Sequence, residues 1–435
     1  MKIAVVRPSM FGTPASDHMM PLLFSILKGL TPPEFELFFY DERLRPLPEK
    51  WSESVIAITI ETFTAKRSYA LADACRSVGK TVIVGGHHVS MLPDEAAQHA
   101  DVVMLGDAEQ TWPQVLLDLQ SGNLNKVYAC DTWGSLSGIR YDYSIFRKGD
   151  YKLIALAQFG RGCKYRCDFC SIHAFYGNSV RYRPIDELIA DIKSLTQKYI
   201  FFVDDNIFAD EETSRKLFDA MRPLKKKWIC QISMDVASKP DLLREMKESG
   251  CILVIMGFES LNRENLIAIG KSANLALAYE DVIGNIYAAG LMIYGTFIVG
   301  YDHDTATSAD ALCDFALKHK FAVANFNPLM PMPGTPLYQR LKDEGRLAFD
   351  EWWLNDDYCY GDAMLVPKNM SMTELRESCK NARFRFNSFR NILRRAGRPG
   401  VNSKSLSNFI PYLAASIVSR KEIYSKQGRK LGAVR

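Results

Sequence analysis

The chain has 435 residues, a formal net charge of +4, 47% hydrophobic and 24% charged residues, the values of an ordinary soluble globular protein with room for two or three domains. No run of about 18 or more apolar residues appears, which excludes a membrane-spanning helix, and the start Met1-Lys-Ile-Ala-Val-Val-Arg7 reads as a strand and not a secretion signal. Ten cysteines, mostly scattered but with three close together, make no disulfide framework and point to a reducing cytoplasm; the small net charge selects no partner, and no nucleic acid is expected.

Residues 1–121 alternate strand and helix signals. Apolar runs at 2–7, 35–40, 55–60, 81–84 and 102–105 predict strands, and segments such as 65–78 and 111–119 predict helices. That rhythm implies a doubly wound, Rossmann-like parallel sheet, which binds ligands beyond the carboxyl ends of its strands. Unusual residues gather there: Ser9 after the first strand, Thr62 after the third, Gly85, Gly86 and His87 after the fourth, Gly106 and Glu109 after the fifth. Paired glycines let a backbone approach a bulky ligand closely. His87 and His88 are neighbours whose side chains diverge, so backbone or phosphate contacts suit them better than a metal.

Residues 122–150 read as a linker. The alternation resumes with strands at 153–159, 199–203, 228–233, 252–256, 292–299 and 322–327, separated by helices such as 186–197, 211–224 and 240–249. The first of these strands runs into Gly160-Arg-Gly-Cys163-Lys-Tyr-Arg-Cys167-Asp-Phe-Cys170. Three thiolates on one short loop can hold a 4Fe–4S cluster by three irons and leave the fourth open. The competing reading is a structural zinc site completed by His173, which suits the strand–helix series downstream less well.

C-x3-C-x2-C after an apolar strand resembles the signature of the radical S-adenosylmethionine enzymes, and the six βα units of 151–336 resemble the partial triose-isomerase-like barrel of that family. The resemblance implies that Cys163, Cys167 and Cys170 ligate a 4Fe–4S cluster whose open iron binds S-adenosylmethionine and reduces it to a 5′-deoxyadenosyl radical. It assigns Phe169 to the adenine, Asp205 of Val203-Asp-Asp-Asn206 to the methionine amine, Ser233 to its carboxylate or the ribose, and Gly257 with Glu259 to the ribose hydroxyls. The acidic pair at 204–205 has an alternative role as a helix cap. Gly270-Lys271-Ser272 is no phosphate loop, because residue 265 is asparagine and not glycine.

The Gly85-Gly86 pair and the Gly106-Asp-Ala-Glu109 turn make residues 1–121 similar to the cobalamin-binding domain of one subgroup of that family. Ser9, Thr62, Gly85, Gly86, His87, Gly106 and Glu109 are then the candidate cobalamin residues. Asp17-His18-Met19-Met20 lacks the Asp-x-His-x-x-Gly spacing that supplies a lower axial histidine, so His18 reads as an ordinary loop residue. A flavodoxin-like domain without cofactor stays open. The implied chemistry is C-methylation at an unactivated carbon of a lipid, tetrapyrrole or other small intermediate, with flavodoxin or ferredoxin as reductant. Its rivals are oxidative cyclisation, rearrangement or hydroxylation on the same scaffold, and a non-catalytic zinc or electron-transfer protein.

Residues 337–435 read as a mainly helical, basic extension. From Arg376 to Arg435 there are 15 Lys/Arg against Glu377 and Glu422 alone. A solvated helical face is the plain reading, and contact with an anionic substrate, partner or membrane surface the sharper one. The apolar stretch Phe409–Val418 before Arg420-Lys421 favours a surface. The aromatic run 349–360 reads as packing more readily than as a lid. Cys359 and Cys379 stand alone, so no second cluster is indicated.

Overall fold

Two six-stranded parallel sheets organise the chain. The computed structural model describes residues 1–15, 19–130, 132–151, 153–208, 210–397 and 401–432; the sequence reading of His18 lies outside the described residues. The first sheet contains β1 (Lys2–Arg7), β2 (Glu36–Asp41), β3 (Val55–Thr59), β4 (Thr81–Gly85), β5 (Val102–Met104) and β6 (Val127–Tyr128), in the order 2-1-3-4-5-6. The strand order reverses at β1, the topological switch beside which doubly wound sheets open a crevice. The sixth strand comes from the stretch read as a linker and pairs with β5.

After β7 (Ile154–Ala157), a two-stranded antiparallel ribbon, β8 (Gly160–Arg161) and β9 (Arg181–Tyr182), flanks the cysteine loop. Then follow β10 (Tyr199–Phe202), β11 (Lys227–Ile232), β12 (Cys251–Glu259), β13 (Met292–Val299) and β14 (Val323–Pro328), which join β7 in the order 14-13-12-11-10-7, all parallel. This is the partial (β/α)6 barrel. Its strands are nearly unbroken apolar runs, as in Cys251-Ile-Leu-Val-Ile-Met256, because a parallel sheet is covered on both faces. The helices show the complementary spacing: Pro240–Glu248 turns Leu242, Leu243 and Met246 inward.

Beyond the barrel the aromatic run is packing. Trp352, Trp353 and Tyr358 are buried in the core under the first sheet. The Trp353 indole donates to Glu95 at 3.0 Å and the Trp352 indole to the carbonyl of Pro331 at 3.0 Å, bolting the barrel cap to the N-terminal sheet. Regular helix resumes at Met372–Phe386, started by a reciprocal Ser371–Glu374 capping box, and this helix buries Leu375, Cys379, Ala382 and Phe386 in the barrel core. Among the described residues no helix is long and apolar enough to cross a membrane.

Candidate active site

Cys163, Cys167, Cys170 and Phe169 line one cavity of about 250 Å³ together with Asp205, Ser233, Gly257 and Glu259 from the carboxyl ends of β10, β11 and β12. The fold thus gathers the three cysteines and all five residues assigned to S-adenosylmethionine. His173 does not line this cavity; its Nδ1 lies 3.0 Å from the carbonyl of Gly177, at the end of its own helix, so the fold does not gather it with the three thiols as a Cys3His zinc set requires.

The loop is held by carboxylates. Asp204 is buried and accepts the backbone N–H groups of Phe159 (3.1 Å) and Gly160 (2.5 Å); Asp205 accepts that of Gly162 at 2.9 Å. Burial pushes the Asp204 carboxyl up to about 7 and raises that of Asp205 as well. Gly162 sits at φ +92°, and a Cβ there would fall 1.8 Å from the carbonyl of Ser179, so only glycine permits the turn. The cap reading of the acidic pair does not hold, because Asp210 caps the next helix, Glu211–Met221, by accepting from Thr213 N–H at 3.0 Å. From outside, Arg340 reaches Asp168 at 3.1 Å.

At the end of β12 the chain register shifts between Gly257 and Glu259, and Glu259 takes φ +60°. This left-handed, non-glycine backbone sits at a buried carboxylate whose Oε1 is 2.9 Å from Lys271 Nζ. A Cβ on Gly257 would lie 2.1 Å from that same Oε1 and 2.8 Å from the ammonium, so the glycine makes room for the ion pair. Burial opposes the Lys271 charge, but Glu259 and the neighbouring thiols hold its pKa above the ordinary lysine value. Sequence reasoning missed Lys271: the tripeptide around it is no phosphate loop, yet its ammonium lines the cysteine cavity. The only signal was its position in the β12–β13 connection. Burial raises the Cys163 thiol and pushes that of Cys167 up to about 11. The three thiols face one cavity with the Lys271 ammonium beside them to offset thiolate charge, a donor set that fits a cluster.

A second cavity, of about 410 Å³, opens at the carboxyl end of the first sheet, within the usual range for small-molecule and cofactor sites. Gly85, Gly86, His87, Gly106 and Glu109 line it; Ser9 and Thr62 do not. Ser9 is buried, with its N–H donating to Glu42 at 2.8 Å and its hydroxyl to the carbonyl of Thr13 at 2.7 Å. Thr62 Oγ1 lies 3.3 Å from His88 Nδ1. Glu61, one residue earlier, takes the place expected of Thr62, paired with Arg7 at 2.9 Å. Gly86 has φ +118°, and a Cβ there would meet the carbonyl of Ile60 at 2.7 Å. The two histidines diverge: His88 is buried with Nε2 at 2.9 Å from Glu95, while His87 faces the cavity and stacks on Phe175 at 4.1 Å. The glycine cradle and the apolar back wall of Leu27, Ile83, Met104 and Trp112 fit a large, partly apolar cofactor.

The two cavities touch. Val203 lines both. The short helix Ser171–Tyr176 starts at Cys170 and ends with Phe175 and Tyr176 in the wall of the larger cavity. Across the junction, buried Arg161 of the cysteine loop reaches Asp107 at 3.0 Å and Glu109 at 2.5 Å, and Arg181 reaches Asp107 at 2.9 Å. Glu109 is therefore also a clamp between the sheets.

Residues 157–316 match the radical SAM superfamily. The chain is 32% identical over 373 residues to a bacteriochlorophyllide d C-12(1)-methyltransferase of Chlorobaculum tepidum, covering 82% of this chain and 80% of the relative. It is 27% identical to the bacteriochlorophyllide d C-8(2)-methyltransferase of the same organism, over 76% of this chain and 78% of the relative. Among solved structures it is similar to the radical S-adenosylmethionine methyltransferase TsrM of Kitasatospora setae, solved with cobalamin and a 4Fe–4S cluster (TM-score 0.64, 14% identity, 79% of this chain and 75% of that one). It is also similar to the cobalamin-dependent S-adenosylmethionine radical enzyme OxsB (TM-score 0.62, 12% identity, 97% and 72%). The chain belongs to the radical S-adenosylmethionine superfamily, in the group of enzymes that includes the bacteriochlorophyllide methyltransferases.

Proposed function

We propose that this chain is a cobalamin-dependent C-methyltransferase acting at an unactivated carbon of a small biosynthetic intermediate, with a tetrapyrrole first among the candidates because the bacteriochlorophyllide enzymes are its relatives. The observation that carries the reading is the common wall: two cavities, each at the carboxyl end of a parallel sheet, meet at Val203. In this reading residues 1–121 bind cobalamin, 122–150 link, 151–336 form the catalytic barrel and 337–435 extend it. Cys163, Cys167 and Cys170 would hold the cluster; Gly85, Gly86, His87 and Gly106 would receive cobalamin. When bound, these groups supply the electron that splits the sulfonium and the methyl group that is transferred.

The chain's own residues bind and orient. Asp205 and Glu259 offer anions and Lys271 a cation, a pairing suited to the zwitterionic amino-acid end of S-adenosylmethionine. Phe169 offers a ring for the adenine, and Ser233 a hydroxyl for the carboxylate or ribose. Val203, Phe175 and Tyr176 exclude water at the junction, which favours transfer over side reactions. A one-electron donor such as flavodoxin or ferredoxin, a cytoplasmic setting and peripheral membrane contact through the basic tail belong to the same reading.

The test is anaerobic reconstitution with iron, sulfide, methylcobalamin and a strong reductant. Bacteriochlorophyllide and related tetrapyrroles serve as substrates, with methyl-labelled S-adenosylmethionine. 5′-Deoxyadenosine and S-adenosylhomocysteine forming together, with label in the tetrapyrrole, is the expected result. 5′-Deoxyadenosine with a product that has gained no methyl group, labelled or unlabelled, moves the chain to the cyclisation class, represented by an anaerobic magnesium-protoporphyrin IX monomethyl ester cyclase at 23% identity.

A further inference from the structure

The last long helix, Leu406–Lys426, is inside out. The residues it buries are Asn408, Tyr412 and Ser416, while Leu406 (75% exposed), Ile410 (59%), Leu413 (38%) and Ile417 (53%) face solvent. Their spacing of four, three and four residues draws one stripe along the helix. The preceding helix, Phe389–Ala396, adds Phe389 (67%) and Leu393 (74%), again four residues apart. Arg420 joins the two helices, its guanidinium 4.4 Å from the Phe389 ring and 5.0 Å from that of Tyr424.

Polar anchors fix this orientation. Asn408 donates to the carbonyl of Val401 at 3.0 Å and the Tyr412 hydroxyl to that of Ile392 at 2.5 Å. Buried Arg395 donates to the carbonyls of Phe321 and Ala322 at 3.0 and 2.7 Å. The helix is therefore held with its apolar side outward. Tyr412 and Ile392 pack with Ile252, Met292 and Ala322, at the amino-terminal ends of the barrel strands, so the stripe lies away from both cavities.

Charge names the occupant. Residues 389–421 contain seven Lys/Arg and no Asp or Glu, and Arg390, Arg394, Lys404 and Lys421 are exposed. Apolar side chains bordered by cations, on a helix unable to span a bilayer, are the features of an interfacial helix on anionic lipid. We propose that the outer face of helices Phe389–Ala396 and Leu406–Lys426 docks on an anionic lipid membrane, with Phe389, Leu393, Leu406, Ile410, Leu413 and Ile417 entering the interface. This rests on the peripheral-contact part of the reading above and is independent of methyl transfer.

The experiment is co-sedimentation of the full chain with vesicles of phosphatidylcholine alone or with phosphatidylglycerol added. Binding is expected to the anionic vesicles, to weaken with salt, and to fall at least about tenfold in the Ile410→Asp/Ile417→Asp variant and in an Arg390→Gln/Arg394→Gln/Lys421→Gln variant. Ile410, Ile417, Arg390, Arg394 and Lys421 are exposed side chains, and an unchanged unfolding midpoint confirms that the variants fold. Absence of binding to every vesicle, or binding unaffected by both variants, overturns the proposal. So does a dimer in sedimentation that Ile410→Asp/Ile417→Asp dissolves, because a second copy then covers the face. Vesicle binding needs no cofactor, so its failure leaves the methyl-transfer assay untouched.

Discussion

The two cavities stand at equivalent ends of two parallel sheets and are built from opposite materials. The barrel cavity is a set of side chains: three thiols, the Asp204–Asp205 strap and the Glu259–Lys271 pair, each with a bonded partner or a charged neighbour. The cavity of the first sheet has a rim of Gly85, Gly86 and Gly106 before an apolar wall, and its ion pairs, Arg161 with Asp107 and Glu109, stand at the junction rather than in the cradle. Coordination chemistry requires particular atoms at particular places; enclosing a large cofactor requires room. The first kind of site fails when one atom is lost, the second when one is added.

The largest effect expected is therefore at the cysteines. Cys163→Ala should abolish cluster assembly and 5′-deoxyadenosine formation, seen as lost iron and sulfide and a silent cleavage assay. Cobalamin binding by the same variant should be unchanged in an optical titration. Retained cleavage would remove Cys163 from the ligand set.

Lys271→Met tests the charges beside the cluster. It leaves Glu259 buried without its cation, a change that costs about 3–5 kcal/mol when a buried pair is broken. Unfolding midpoints should fall accordingly, and the KM for S-adenosylmethionine should rise more than kcat falls. The double variant Lys271→Met/Glu259→Gln should recover stability without recovering that KM. Recovery of both would reduce Lys271 to a structural residue.

The opposite cavity is tested by adding an atom. Gly86→Ala forces a side chain at φ +118° against the carbonyl of Ile60, with a cost of about 1–3 kcal/mol. Cobalamin affinity should drop sharply while iron content stays normal, the mirror image of Cys163→Ala. Cobalamin binding unchanged by this variant would move the cofactor away from the glycine rim.

The same contrast explains what the sequence made legible. All eleven main strands were readable, because parallel strands covered on both faces leave continuous apolar runs. β6, at a sheet edge, and the ribbon strands β8 and β9 escaped, each two residues long and too short to show a period. In the barrel cavity every residue chosen from the motif and strand ends lines the site, since strand ends point there by topology. Lys271 was missed because it comes from a connection and enters only through its bond to Glu259. In the other cavity the glycines were readable and Ser9 and Thr62 were not. Which of several neighbours faces a cavity depends on local turn geometry: the 3-10 turn Thr62–Thr64 rotates Thr62 towards His88 and leaves Glu61 at the opening. The apolar stretch 409–418 was legible, but which of its residues face outward was not, for a related reason. An apolar periodicity says that a face exists, and tertiary anchors such as Asn408 and Tyr412 decide whether it turns in or out.

The smallest effects expected are in pH dependence, where the two cavities differ in sign. Asp204 has its folded pKa raised to about 7 by burial, against an ordinary carboxyl near about 4 in the unfolded chain. Between those values the folded chain keeps a proton that the unfolded chain has released, so the contribution of Asp204 is greatest at low pH and declines as pH rises through the window. His87 has its folded pKa lowered, again chiefly by burial, with Glu61 and Asp107 opposing. Below the ordinary histidine value of about 6.5 the unfolded chain takes up a proton that the folded chain refuses, so the contribution of His87 declines as pH falls. Urea midpoints of the cofactor-free chain at about pH 5 and about pH 8 separate the two, each slope being on the order of 1 kcal/mol. Asp204→Asn should steepen the loss of stability towards acid, and His87→Gln should flatten it. Slopes that move together would show that the two groups share one environment, and the division between a cavity of held charges and a cavity of withheld side chains would fail at its junction.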